Sequence, residues 1–166
     1  MRLWGILLLL IASAGTGYYA AGRLRRNVHS LELLCAWTED AAACIRYSRM
    51  ETAELLSFLS VHPSYREFRF MQSILSEMSP QIPPQTLWQK ALRQDAAVPG
   101  CAESALTGLG TSLGTTDCEG QLAALALCGT QLRQAAQNAR ETVQTKGRLY
   151  RALGLLGGAM AGILLW

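Results

Sequence analysis

The sequence predicts an all-α protein: a helical bundle flanked by an N-terminal and a C-terminal transmembrane helix. Three observations predict it. Apolar residues recur at helical spacing through the middle of the chain, no stretch alternates as a strand would, and each end is an uncharged apolar run bordered by Arg and Lys. Half of the 166 residues are hydrophobic and only 16% are charged, with a mean hydropathy of +0.15. That balance is too apolar for an ordinary soluble domain. The net charge of +3 is small. Its basic residues gather beside the apolar ends rather than along one helix face, which argues against nucleic-acid binding.

The first segment, residues 1–22, contains the uncharged run LWGILLLLIASAGTGYYAAG from Leu3 to Gly22. A helix of that length rises roughly 30 Å, the thickness of a bilayer's hydrocarbon core. Trp4 lies near one edge and Tyr18 and Tyr19 near the other, where amphipathic rings favour the headgroup boundary. Arg23, Arg25 and Arg26 follow at once. A cleaved signal peptide is the alternative, because ASAG offers small residues at a cut site. Such a peptide concentrates positive charge before its apolar run, however, and here most of it comes after.

The last segment, residues 149–166, mirrors the first. Lys146, Arg148 and Arg151 precede an apolar stretch from Ala152 to Trp166. That stretch is short for a bilayer, at about 22 Å of helix. Arg151 can snorkel its charge outward, and Tyr150 and Trp166 extend the apolar length. Both basic clusters lie on the inner side of their apolar runs. The positive-inside rule therefore places the central region, residues 23–148, in the cytoplasm of a two-pass membrane protein. Small residues recur every four positions at Ser13, Gly17 and Ala21 and at Gly154, Gly158 and Gly162. That spacing lets lipid-embedded helices approach closely, whether the partner is the other segment, a second copy of the chain or another protein.

The five cysteines, Cys35, Cys44, Cys101, Cys118 and Cys128, are odd in number and form no C-x-x-C pair. They read as unpaired thiols in a reducing compartment, in agreement with the charge-derived sidedness.

Within the central region four capping boxes mark helix starts, at Ser48–Glu51, Ser64–Glu67, Thr86–Gln89 and Thr116–Glu119. Pro63, the run SPQIPP and the tripeptide VPG interrupt the chain between helices. Apolar stripes follow: Leu31, Leu34, Cys35, Thr38, Ala42 and Ile45; Leu55, Leu56 and Leu59; Phe68, Met71, Leu75 and Met78; Leu87, Trp88, Ala91 and Leu92; Leu106, Leu109 and Leu113. The last helix carries Leu122, Leu125, Gly129, Leu132, Ala136, Ala139 and Val143 at alternating spacings of three and four, a coiled-coil-like seam. Gly147 alone does not force it to stop before the terminal apolar run.

The stretch LGTSLGTTDCEGQ, Leu109 to Gln121, mixes glycines, hydroxyls, a carboxylate and a thiol. It lacks the preceding strand and the Lys-Ser/Thr of a phosphate loop. It reads instead as a helix–turn–helix corner. Gly114 is the left-handed residue after Leu113, Thr116 caps the next helix, Glu119 is its reciprocal partner, and Asp117 is favourable at the positive helix end. Cys118 sits in the first helical turn, but the flanking carboxylates oppose its activation. The pairs Glu39–Asp40 and Glu51–Glu54 read as solvated surface. His29 and His62 are the only histidines, and no hydrolase, zincin or comparable motif is present. The residues thus predict a non-enzymatic helical module with no catalytic, cofactor-binding or metal-binding residues. A membrane-tethered thiol enzyme or redox sensor using Cys118, and an exported domain released by signal cleavage, are the alternatives.

The layout resembles the stage III sporulation protein AB family over essentially the whole chain. The most specific element is the family's LG..D...Q corner, met by Leu113, Gly114, Asp117 and Gln121. Tyr47, Trp88 and the R.LG.LGG pattern at Arg151 to Gly158 are weaker matches. The family's tyrosine–small–proline–leucine pattern is not kept, since YSRMETAELL has no proline. The resemblance implies a single cytoplasmic GspF-like six-helix domain, of the type found in type II secretion platform proteins, between two membrane helices. It implies a place in the mother-cell membrane around the forespore. The implied partners are a cytoplasmic secretion-type ATPase, stage III sporulation protein AA, and the other membrane proteins of the channel. The family supplies no catalytic residues.

Overall fold

A computed structural model describes the backbone of residues 2–79 and 81–164 and the side chains of residues 22–79 and 81–145. The described residues form helices joined by short turns, without a strand. The helices are α1 (Arg2–Ala43), α2 (Thr52–Val61), α3 (Phe70–Glu77), α4 (Pro84–Gln94), α5 (Gly100–Ser112) and α6 (Cys118–Leu164). A π-helical turn, Cys44–Ser48, extends α1, and a 3-10 turn, Pro63–Tyr65, follows α2. Two compact units result: Met1–Val28 with Asn138–Trp166, and His29–Gln137. Among the described residues no helix is long and apolar enough to cross a membrane. The two apolar runs that carry the transmembrane expectation, with Ser13, Gly17, Ala21, Gly154, Gly158 and Gly162, lie outside the residues whose side chains are described. So do Lys146, Arg148 and Arg151.

In the His29–Gln137 unit α2 packs on α3, α3 on α4 and α4 on α5. Phe70 joins three of these elements. Its ring meets Trp37 of α1 edge-on at 5.8 Å and Trp88 of α4 at 6.0 Å. Such tilted pairs add to the burial of the rings themselves. Trp37 is fully buried and donates its indole N–H to Met71 Sδ at 3.2 Å. Between α4 and α5 the approach is closest at Gly110, where a Cβ would stand 2.4 Å from Trp88 Cγ. Only a residue without a side chain leaves room for the indole. Between α1 and α6 a Cβ at Gly129 would stand 3.1 Å from Thr38 Oγ1, so the small members of the α6 seam admit α1.

The stripes of α2, α4 and α5 are buried at every named position. The α1 stripe is rotated: Trp37 and Ala41 are fully buried, whereas Cys35 and Ala42 are partly exposed. In α3 the core residues are Phe70, Met71 and Ile74, and Met78 is 47% exposed. The cause is the helix start. The Ser64 box does not form, because His62 and Pro63 begin a 3-10 turn that buries Tyr65 instead. The phenol of Tyr65 donates to Asp40 Oδ2 at 2.5 Å. Burial first and the Asp40 carboxylate second push that phenol above its usual range.

Two further boxes are also corrected. Ser48 closes the π turn, and α2 starts later, at Thr52, with no side-chain cap. Thr86 lies inside α4, which starts at Pro84, a first position where the missing N–H costs nothing.

The N-terminus of α3 is capped from a distance. Asp95, 7% exposed, accepts from the backbone N–H groups of Arg69 at 2.6 Å and Phe70 at 2.9 Å through Oδ2, and from Ala97 at 3.0 Å through Oδ1. The first two are charge-assisted bonds to otherwise orphaned donors at the start of α3. Asp95→Ala is expected to destabilise the full chain by about 2 kcal/mol or more. Asp95→Asn, which keeps one acceptor, should lose less. Denaturant unfolding followed by tryptophan fluorescence measures both.

Candidate functional site

The corner between α5 and α6 gives each of the motif residues a separate physical task. Leu113 is buried at 3% exposure and closes α5, its N–H donating to the Leu109 carbonyl at 3.0 Å. Gly114 follows in the left-handed region at φ 79°, and a Cβ there would also stand 2.9 Å from Thr52 Oγ1. Any side chain would therefore meet both backbone strain and the first residue of α2. Asp117 precedes α6, and its Oδ1 accepts from the Gly120 N–H at 3.0 Å. Gln121, one turn on, donates its amide back to the Thr116 carbonyl at 2.9 Å.

The expected roles of Thr116 and Glu119 are corrected here. Thr116 Oγ1 donates to the Ser112 carbonyl at 3.0 Å, so the hydroxyl is spent on the end of α5. Thr115 Oγ1 does the same to the Thr111 carbonyl at 2.6 Å. The cap of α6 is Asp117, and Glu119 is an exposed first-turn carboxylate, placed favourably for the helix dipole.

Beside this corner lies a cleft of about 790 Å³. Gly114, Cys118 and Gln121 line one wall, and Ile45, Arg49 to Ala53 line the other. The opposite wall is built by the end of α1. There the helix widens into its π turn, a form that recurs at functional sites, and terminates at Arg49 in the left-handed region at φ 52°. The Arg49 N–H returns to the Ile45 carbonyl at 3.2 Å. A non-glycine residue in that region is a departure from ordinary backbone preference. Nothing in YSRME signals it, since no Gly or Asn stands there. The cleft thus forms where α1 ends, α2 begins and α6 begins.

The thiols divide by depth. Cys101 and Cys118 are exposed, Cys118 on the cleft wall, while Cys35 and Cys44 are partly covered. Burial and then Asp40 raise the Cys44 thiol. Cys128 is buried, and burial first and Cys35 second push its thiol up to about 12. His62 lies at the 3-10 turn, where its Nδ1 accepts from the Ser64 N–H at 3.4 Å, and His29 is exposed on α1. Neither lines the cleft. Of the carboxylate pairs, Glu39 meets Arg133 at 2.7 Å on the surface, Asp40 takes the Tyr65 proton donor, and Glu51 joins the cleft while Glu54 is exposed. Among the described residues no group of His, Cys, Asp and Glu could hold a metal ion.

The motif residues are thus spent on shaping a helical corner beside an open cleft. The protein's family follows from the whole chain. The family model for stage III sporulation protein AB matches residues 2–166, and the chain belongs to that family. It is a family of sporulation proteins. No curated protein and no solved structure matches the chain.

Two outcomes test this geometry. Gly114→Val and Asp117→Ala should each destabilise the full chain by roughly 1 kcal/mol or more, Gly114→Val the more strongly, whereas Thr116→Ala should cost less than either. Thermal melts of the three variants decide the order. Cys128 contributes stability that is fully present below its usual pKa of 9.0 and is lost as pH rises toward about 12. Unfolding free energy should therefore fall over that window, and by less in Cys128→Ala.

Proposed function

We propose that this chain is a non-enzymatic membrane component of a sporulation channel or secretion apparatus between mother cell and forespore. Its role is to couple a cytoplasmic secretion-type ATPase, stage III sporulation protein AA, to the membrane parts of that apparatus. In this reading residues 1–22 and 149–166 are membrane helices, and the domain between them is cytoplasmic and GspF-like. The apolar runs and the arginines and lysines that border them support the placement.

One observation carries the coupling. The two longest described helices, α1 (Arg2–Ala43) and α6 (Cys118–Leu164), both have an end at the same cleft: α1 through Ile45 and Arg49 of the turn that extends it, α6 through Cys118 and Gln121. A partner seated there bears on both at once. Coupling needs an element whose arrangement responds to binding, and the cleft joins the binding surface to the elements that would transmit it.

In membranes carrying the full chain, the ATPase should be retained on affinity capture. Ala53→Trp, which fills the cleft from an exposed position, should cut that retention at least tenfold while leaving the melting temperature unchanged. Absence of any association overturns the coupling role. Association indifferent to Ala53→Trp moves the docking surface elsewhere.

A further inference from the structure

The net charge of +3 conceals a separation of sign. The unit formed by Met1–Val28 and Asn138–Trp166 carries eight Arg and Lys against one Glu, a net of +7. The His29–Gln137 unit carries seven against eleven acidic residues, a net of −4. The three arginines that open this basic region, Arg23, Arg25 and Arg26, are all exposed on α1. Among the described residues no hydrogen bond or ion pair engages them, whereas Lys90, Arg93 and Arg133 of the bundle each hold a carboxylate.

Their placement around the helix is informative. At 3.6 residues per turn, Arg25 lies about 160° from Arg23 and Arg26 about 60° from it. Three cations so disposed lie within an arc of about 160°, so one broad side of α1 carries them all. The arginines also begin one residue beyond the apolar run Leu3–Gly22, so one continuous segment can meet acyl chains and then phosphates. Arg suits the second task, because its planar guanidinium offers paired donors to phosphate oxygens.

We propose that Arg23, Arg25 and Arg26 form a partial collar, on one side of α1, that binds anionic phospholipid headgroups. The inference rests on the membrane placement proposed above. Each basic side chain near an anionic surface strengthens the attraction by on the order of fivefold. The acidic bundle gains nothing from such a surface, so lipid charge acts on the collar alone.

The test uses the full chain reconstituted in bilayers of mixed phosphatidylcholine and phosphatidylglycerol, then extracted in mild detergent for analysis of retained lipid. Phosphatidylglycerol should be enriched over phosphatidylcholine by about tenfold or more. The triple substitution Arg23→Gln, Arg25→Gln, Arg26→Gln should abolish the enrichment, and the corresponding triple Lys variant should keep most of it. Equal retention of the two lipids by the unaltered chain overturns the collar while leaving membrane insertion intact. Displacement of phosphatidylglycerol by inorganic phosphate, at matched ionic strength in chloride, reassigns the arginines to a free anion and overturns it too. Release of the chain from vesicles by alkaline carbonate overturns the membrane placement, and the collar with it.

Discussion

The bundle depends on the carboxylate of Asp95. Two of its three backbone contacts fix where α3 begins, and the helix begins at Phe70, the residue whose ring the bundle is built around. The N–H of Phe70 and its ring are thus held by different partners: the first by Asp95, the second by Trp37 from α1 and Trp88 from α4. Moving α3 by one residue would rotate the ring by about 100° and break both aromatic contacts. An eight-residue helix is too short to set its own register by propensity, because nucleation is costly and few bonds follow it. A buried, charge-assisted cap supplies what the local sequence lacks.

This division explains which parts of the structure were legible in advance. The stripes of α2, α4 and α5 are local periodicities, and every residue named in them is buried. Of the α6 seam, Leu125, Gly129, Leu132 and Ala136 are buried for the same reason, whereas Leu122, Ala139 and Val143 are partly exposed. Asp95 was invisible because it caps a helix 25 and 26 residues earlier in the chain, and no motif spans that distance. The capping boxes failed because a pattern of hydroxyl and carboxylate states a capacity, not its use. At Ser64 a proline-led 3-10 turn intervenes, at Thr86 two prolines start the helix earlier, and at Thr116 the carbonyl of Ser112 takes the hydroxyl.

The corner was more legible than its cap. A glycine after an apolar helical run has a single common use, and Gly114 has φ 79°. The choice between Thr116 and Asp117 was finer. An ionised carboxylate accepts more strongly from helix N–H groups than a hydroxyl does, and a hydroxyl can also donate. Thr116 satisfies a carbonyl that Asp117 could not, so the arrangement that leaves fewest groups unpaired puts the acid on the cap. Arg49 lies beyond such reasoning. Its left-handed backbone follows from the π turn before it, which adds a residue to the helix end without any glycine to announce it.

The cleft and the collar place different demands on α1. The cleft needs the ends of α1 and α6 held in one arrangement, and the corner supplies this through contacts that stay within a few residues of Gly114 and Thr52. The collar needs α1 presented to an anionic surface without the bundle competing for it. Separation of charge, +7 against −4, meets that need, because like-signed surfaces repel and screening confines the effect to about one Debye length. A bundle of the opposite sign would be drawn to the same headgroups, and its cleft would then have to be reached against that attraction. An acid excess on the bundle removes that competition for anionic headgroups.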